Sequence, residues 1–148
     1  MSASNVFENG LLSLIFENAN YANVGDATGL RGSSTAGVFY VSLHTASPGE
    51  GGSQSTSETA YTNYLRSGGS VARSTAGWSV AAGVADNDGA ITYATCGASG
   101  ATLTDFGIGS DSTGAGNLFL YGALTASLIV NSGITPSFAA GALDVTLD

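Results

Sequence analysis

The chain has 148 residues and a mass of 14.6 kDa, with 22 Gly, 2 Pro and only 9% charged residues, where about 25% is usual. Eleven Asp and Glu stand against three Arg (Arg31, Arg66, Arg73) and no Lys, for a formal charge of -8. Too few cations remain to displace counterions from a nucleic-acid backbone or to hold an anionic membrane surface, and no lysine is present for a phosphate loop, a Schiff base or a Ser-Lys nucleophile. The length suits one domain that buries roughly two-thirds of its unfolded surface, without disulfide or metal staples.

Abundant Gly, Ser, Thr and Ala could signal disorder, but 43% apolar content with six Phe, six Tyr and one Trp argues for a fold. Cys96, the single cysteine, has no intramolecular partner. The opening MSASNVFENG has no cationic segment before its apolar run, and no apolar stretch approaches the roughly 20 residues of a membrane span. A soluble chain without a cleaved signal is expected.

One helix is predicted, from Asn5 to about Asn20, opened by a capping box of Asn5 and Glu8. Phe7, Leu11, Leu14 and Ile15 recur at three- and four-residue spacing and form its apolar stripe. Gly10 inside it costs about 1 kcal/mol relative to Ala, so the stripe needs a surface to rest on: the chain's own sheet, or a neighbouring subunit. These four residues are therefore the candidate contacts to a neighbouring subunit. Residues 1–24 are expected to form a helical arm, and 25–148 a single β domain.

Beyond Asn23 the pattern changes to period two with turn punctuation. Gly25 to Gly37 reads as a loop, and Val38 to His44 as a half-buried strand with Phe39, Val41 and Leu43 on one face and Tyr40, Ser42 and His44 on the other. Thr45 to Thr59 is a polar loop of a length that is usually functional or mobile. Short strands are expected at 61–66, 70–74, 78–82, 90–94, 101–108, 117–124, 127–130 and 142–147, separated by turn signals such as Asp88-Gly89 and Asn131-Ser132-Gly133. Strand-like runs at this spacing without intervening helices predict an all-β fold, an antiparallel β-sandwich or jelly-roll-like domain with one short N-terminal α-helix.

No catalytic constellation emerges. His44 is the only histidine, no G-x-S-x-G elbow occurs, and Glu50 is its nearest acid in sequence. Cys96 has no electropositive neighbour to activate it and reads as a buried small residue or as the turn residue before Gly97. Asp86-Asn87-Asp88-Gly89 lacks the alternating ligands and terminal Glu of a calcium loop, and an Asp-Gly turn explains it more simply. Gly107-Ile108-Gly109 has Ser112 where a dinucleotide fingerprint needs its third glycine. Trp78 and Tyr61, Tyr64, Phe106, Phe119, Tyr121 and Phe138 suit a sandwich core better than a carbohydrate platform. No catalytic residue, cofactor or metal ligand is therefore assigned, and the chain is not expected to be an enzyme.

Three stretches, VFYVSLHTASPGEGG at 38–52, DFGIGSDSTGAGNLFLYGALTASLIVNSG at 105–133 and SFAAGALDVTLD at 137–148, together with the opening SASNVFENGLL, resemble small virion proteins of tailed double-stranded DNA bacteriophages, the tail fibre and capsid decoration proteins. The resemblance implies a structural role. The preferred form is a capsid decoration or cement protein on the outer surface of the head, a homotrimer bridging major capsid subunits. The alternative is a tail fibre or tail-tip component, with the loop from Thr45 to Thr59 and exposed aromatics engaging a host glycan. Net acidity, which repels packaged DNA, agrees with an exterior position.

Overall fold

In a computed structural model that describes residues 3–25 and 27–147, the chain runs through α1 (Asn5–Phe16), β1 (Val38–His44), a 3₁₀ turn (Arg66–Gly69), β2 (Ser70–Ala72), β3 (Trp78–Ala81), β4 (Val84–Asn87), β5 (Ile91–Thr92), β6 (Ala101–Gly109), β7 (Leu118–Val130), β8 (Ser137–Phe138) and β9 (Asp144–Thr146). The β1–β6, β6–β7, β3–β4 and β4–β9 pairs are antiparallel, and the fold is all-β with one short N-terminal helix, as expected. The contacts divide the chain into two units. One takes the described residues up to Val38, Val71–Ala90 and the described residues from Phe138 on; the other takes Phe39–Ser70 and Ile91–Ser137.

In the first unit the helix starts one residue earlier than the capping box predicts. Ser4, in extended conformation, is the N-cap, and its Oγ accepts from the Phe7 amide at 3.4 Å. Asn5 is then already helical, and Glu8 lies in the first turn, where the positive end of the helix dipole favours a carboxylate. The helix also stops earlier, because Asn18 takes a left-handed φ of 61° that Asn tolerates better than most residues.

The buried face differs from the predicted stripe. Leu12 and Phe16, one turn apart, are the buried residues, and Phe16 meets Trp78 with ring centroids 4.6 Å apart. Phe7 stays 46% exposed, with its ring against Tyr21, while Leu11, Leu14 and Ile15 are half-buried. Gly10 has a packing reason that periodicity could not supply: the Tyr21 ring occupies the space a Cβ would need.

The helix packs on β3 and β4, the first two strands of a sheet ordered β3-β4-β9. β4 falls where the sequence reading placed only a turn. The turn itself comes earlier, at Ala82-Gly83, whose φ values of 53° and 80° are the paired positive angles that a two-residue hairpin of the primed type demands. Asn87 is a buried hub here: its amide donates to the Gly89 and Ala139 carbonyls, and its Oδ1 accepts from the Leu143 amide.

In the second unit the central sheet contains β1, β6 and β7, with Val41↔Ile108 and Leu43↔Phe106 across the first pair and Ile108↔Leu120 across the second. The predicted strands at 117–124 and 127–130 are a single strand, β7. Its pairing to β6 jumps from Ala123↔Asp105 to Leu128↔Leu103, so residues 124–127 bulge out opposite Thr104. The predicted strand at 61–66 is instead a turn leading into the 3₁₀ segment, with Asn63 at φ 81° breaking any extended run.

Arg73 supplies the cation that the helix lacks in its last turn. Its guanidinium donates to the Leu14 and Ile15 carbonyls at 2.5 Å each, and it reaches the Ala36 carbonyl and Ser33 Oγ as well. Charged donors on otherwise unpaired helix carbonyls stabilise strongly. Arg73→Ala should lower the unfolding free energy by about 2 kcal/mol in urea titration, and Arg73→Lys should recover only part of it, because an ammonium cannot fork onto two carbonyls.

Candidate functional site

The densest arrangement of polar side chains is in the second unit and begins on β1. Strand alternation would put Ser42 and His44 on a solvated face, yet both are fully buried. They can be buried because the facing residues on β6 include Gly107, paired with Ser42: a Cβ there would lie 2.9 Å from Ser42 Oγ and 3.0 Å from His44 Nε2. Gly109, further along the same strand, leaves the space that the Gln54 side chain fills. The Gly-Ile-Gly run is therefore a packing device of a strand.

His44 Nδ1 lies 2.8 Å from the Thr56 carbonyl, which can only accept, so Nδ1 carries the proton. Nε2 is then the acceptor for the Ser42 hydroxyl at 2.8 Å. A Ser-His hydrogen bond of this kind is half of a nucleophilic dyad. Here, however, neither side chain reaches the surface, and the imidazole is held by a loop carbonyl. Burial lowers the His44 pKa below its ordinary 6.5, with the Thr56 carbonyl and the Glu58 and Asp105 charges opposing that shift.

The same side chains fix the loop from Thr45 to Thr59, which is tied down along its length. Thr45 N donates to Ser57 O and Thr59 N to Leu43 O, both at 2.9 Å. Gln54, fully buried and the only glutamine in the chain, donates to the Tyr40 carbonyl at 3.1 Å and accepts from the Asp111 amide at 2.9 Å. Arg66, 4% exposed, grips Glu58 through Nε at 2.8 Å and Nη2 at 2.5 Å, and donates to the Asp111 and Gly114 carbonyls. The hydrogen bonds to Glu58 raise the Arg66 pKa further. Tyr64 completes the group by donating to Glu58 Oε1 at 2.9 Å, and burial pushes its phenol well up.

Beside this network lies a cleft of about 310 Å³, walled by Tyr61, Tyr64 and Leu65 on one side and Ser112, Thr113 and Gly114 on the other. Glu58, Arg66 and Tyr64 enter it already paired with one another. Thr59 Oγ1 is buried there with no hydrogen-bond partner among the described residues.

The residues weighed from the sequence sit elsewhere. Cys96 is buried with its thiol toward the Ser99 carbonyl, matching the reading of a small buried residue. Trp78 is fully buried on Phe16 and Tyr61 is 2% exposed, so both belong to the interior. Asp86 and Asp144 face each other across β4 and β9, and desolvation, followed by the hydrogen bond and charge of Asp144, raises the Asp86 pKa. Among the described residues no group of three or more His, Cys, Asp or Glu is arranged to hold a metal ion. The stripe of Phe7, Leu11, Leu14 and Ile15 remains partly exposed on α1. No sequence signal marked Gln54, whose importance depends on a glycine 55 positions away in the chain.

The glycine-opened sheet thus buries His44, and with Arg66 it holds the neighbouring loops. Residues 2–146 match the model of the family Gp80, described as podophage GP4 fiber I protein gp80, and the chain belongs to that family. It is thus a member of a family of phage fibre proteins, hence of virion components. No curated protein matches the chain.

Two measurements test the network. Gly107→Ala, which pushes a methyl against Ser42 and His44, should destabilise by about 1–3 kcal/mol, the range of overpacked cores, in chemical denaturation. Because the folded-state pKa of His44 is depressed, the native state binds fewer protons than the unfolded chain. Its stability contribution is present above pH 6.5 and is lost as pH falls below that value. The urea midpoint of the wild type should therefore drop between pH 7.5 and 5.5, and that of His44→Gln should drop less.

Proposed function

We propose that the chain is a structural subunit of a bacteriophage fibre, present on the outside of the virion in several identical copies and acting through its surfaces rather than through catalysis. The observation that carries this reading is the family match, which spans nearly the whole chain and whose description names a fibre protein. That description favours the fibre reading over the capsid cement reading that the sequence resemblance put first. The structure is in keeping with it: Ser42 and His44, the one pair with nucleophile-base chemistry, are sealed from solvent, and the long loop is clamped by Gln54 and His44. An acidic chain without lysine also suits an exterior position away from packaged DNA.

The partners in this reading are other copies of the chain and the virion protein that anchors the fibre. A host-glycan role has less support, since Trp78 is in the core and the exposed aromatics of the second unit, Phe119 and Tyr121, lie along one strand.

Gold-labelled antibody against the chain, imaged on intact particles, tests the assignment. Label should sit on fibres projecting from the particle, with a small copy number by quantitative mass spectrometry. An even coat over the head at hundreds of copies would instead restore the cement reading.

A further inference from the structure

The cleft beside the Glu58–Arg66 pair, about 310 Å³ in volume, stands at the small end of the range of ligand sites, roughly 300–1,000 Å³. Its first wall is fixed before anything binds. The Tyr64 ring centroid lies 5.4 Å from that of Tyr61 and is stacked at 6.0 Å on that of Tyr93, while the Tyr64 hydroxyl donates to Glu58 and accepts from the Leu43 amide at 3.2 Å. Leu65, 64% exposed, extends this apolar wall toward solvent. The wall opposite carries the hydroxyl-bearing side chains of Ser112, half-buried, and Thr113, exposed.

The charges in the cleft decide what it takes. Arg66 Nε and Nη2 are engaged by Glu58 and its Nη1 by the Asp111 carbonyl, and both Glu58 oxygens are occupied by Arg66 or Tyr64. Neither group is left to pair with an ionic ligand, and the formal charge of -8 repels an anion besides. What remains is an aromatic and aliphatic wall facing hydroxyls, which matches a pyranose ring with its face of C–H groups and its rim of hydroxyls. A purely apolar ligand would bury the Ser112 and Thr113 hydroxyls without partners. Thr59 points the same way independently. It lines this cleft, is 4% exposed, and its Oγ1 has no hydrogen-bond partner among the described residues. Buried hydroxyls are nearly always paired, and a ligand hydroxyl would complete this one.

We infer that this cleft is a binding site for one neutral pyranose unit, which rests its C–H face on Tyr64 and Leu65 and hydrogen-bonds Thr59, Ser112 and Thr113. The exposed aromatics of β7 take no part in it. The site stands on the cleft alone, so its failure leaves the fibre reading intact, and failure of that reading leaves the site intact.

Titration of the isotope-labelled full chain with the methyl glycosides of glucose, galactose, mannose, rhamnose and N-acetylglucosamine, followed by amide NMR shifts, tests it. At least one should shift the amides of Thr59, Leu65, Thr113 and Gly114 in a saturable way, and methyl glucuronide, similar in shape but anionic, should bind more weakly. Thr59→Val, of nearly the same shape, should weaken binding about fivefold, the size of one lost hydrogen bond, yet keep or raise the urea midpoint because an unpaired buried hydroxyl is gone. Thr113→Val, at an exposed position, should weaken binding likewise and reads the opposite wall if the first variant fails to fold. Tyr121→Ser on β7 should bind as the wild type does. The site is overturned by no saturable shift with any of the neutral glycosides, by shifts confined to β7, or by unchanged affinity in the two threonine variants. A lowered urea midpoint in Thr59→Val would overturn its part in the site, since the hydroxyl would then already be paired.

Discussion

Gly107, in the middle of a strand, is the condition on which the second unit depends. Because it presents no Cβ toward β1, Ser42 and His44 fit beneath the sheet face, and His44 can then reach out to the Thr56 carbonyl and hold the long loop. Gly109 does the same for Gln54, which joins the loop to the Asp111 amide and to β1. A strand glycine ordinarily weakens a sheet. Here the loss is offset by buried hydrogen bonds that would not exist without it, and removing any one partner would strand the others in a low-dielectric interior.

The clamp changes the meaning of a loop that is polar and glycine-rich. Such segments are expected to be mobile because they bury little apolar surface. Side-chain amide, imidazole and guanidinium groups take over that role here, each reaching backbone carbonyls or amides. Arg66 is the clearest case, with Glu58 on one side of its guanidinium and the Asp111 and Gly114 carbonyls on the other. Scarcity of charge thus goes with its use: two of the three arginines, Arg66 and Arg73, hold backbone carbonyls in place.

Much of this architecture was legible from spacing alone. The strands at β1, β3 and β6 follow from period-two alternation between turn residues, and the absence of a second α-helix among the described residues follows from the lack of any other 3.6-residue stripe. Errors arose where a local rule met a tertiary competitor. The helix stripe was displaced because Trp78 offers a ring to Phe16 and Tyr21 offers one to Gly10. β4 was hidden because Asp-Gly is a stronger turn signal than Ala-Gly, yet Ala82 accepts the positive φ. β7 reads as two strands from sequence because Thr125-Ala126 separates the runs 117–124 and 127–130, where the structure makes a bulge.

By itself the sequence determined the all-β class, the N-terminal helix, the absence of lysine and the resemblance to virion proteins, since these depend on composition, periodicity and motif. Only the tertiary structure decided which residues are buried beneath glycines, that the loop from Thr45 to Thr59 is held, and that β7 is the last strand of its sheet among the described residues. Each depends on what lies opposite a residue across a sheet or at the far end of a hydrogen bond. Those partners are 12 residues apart for His44 and Thr56, and 57 for Gln54 and Asp111, and no pattern local to the chain carries that information.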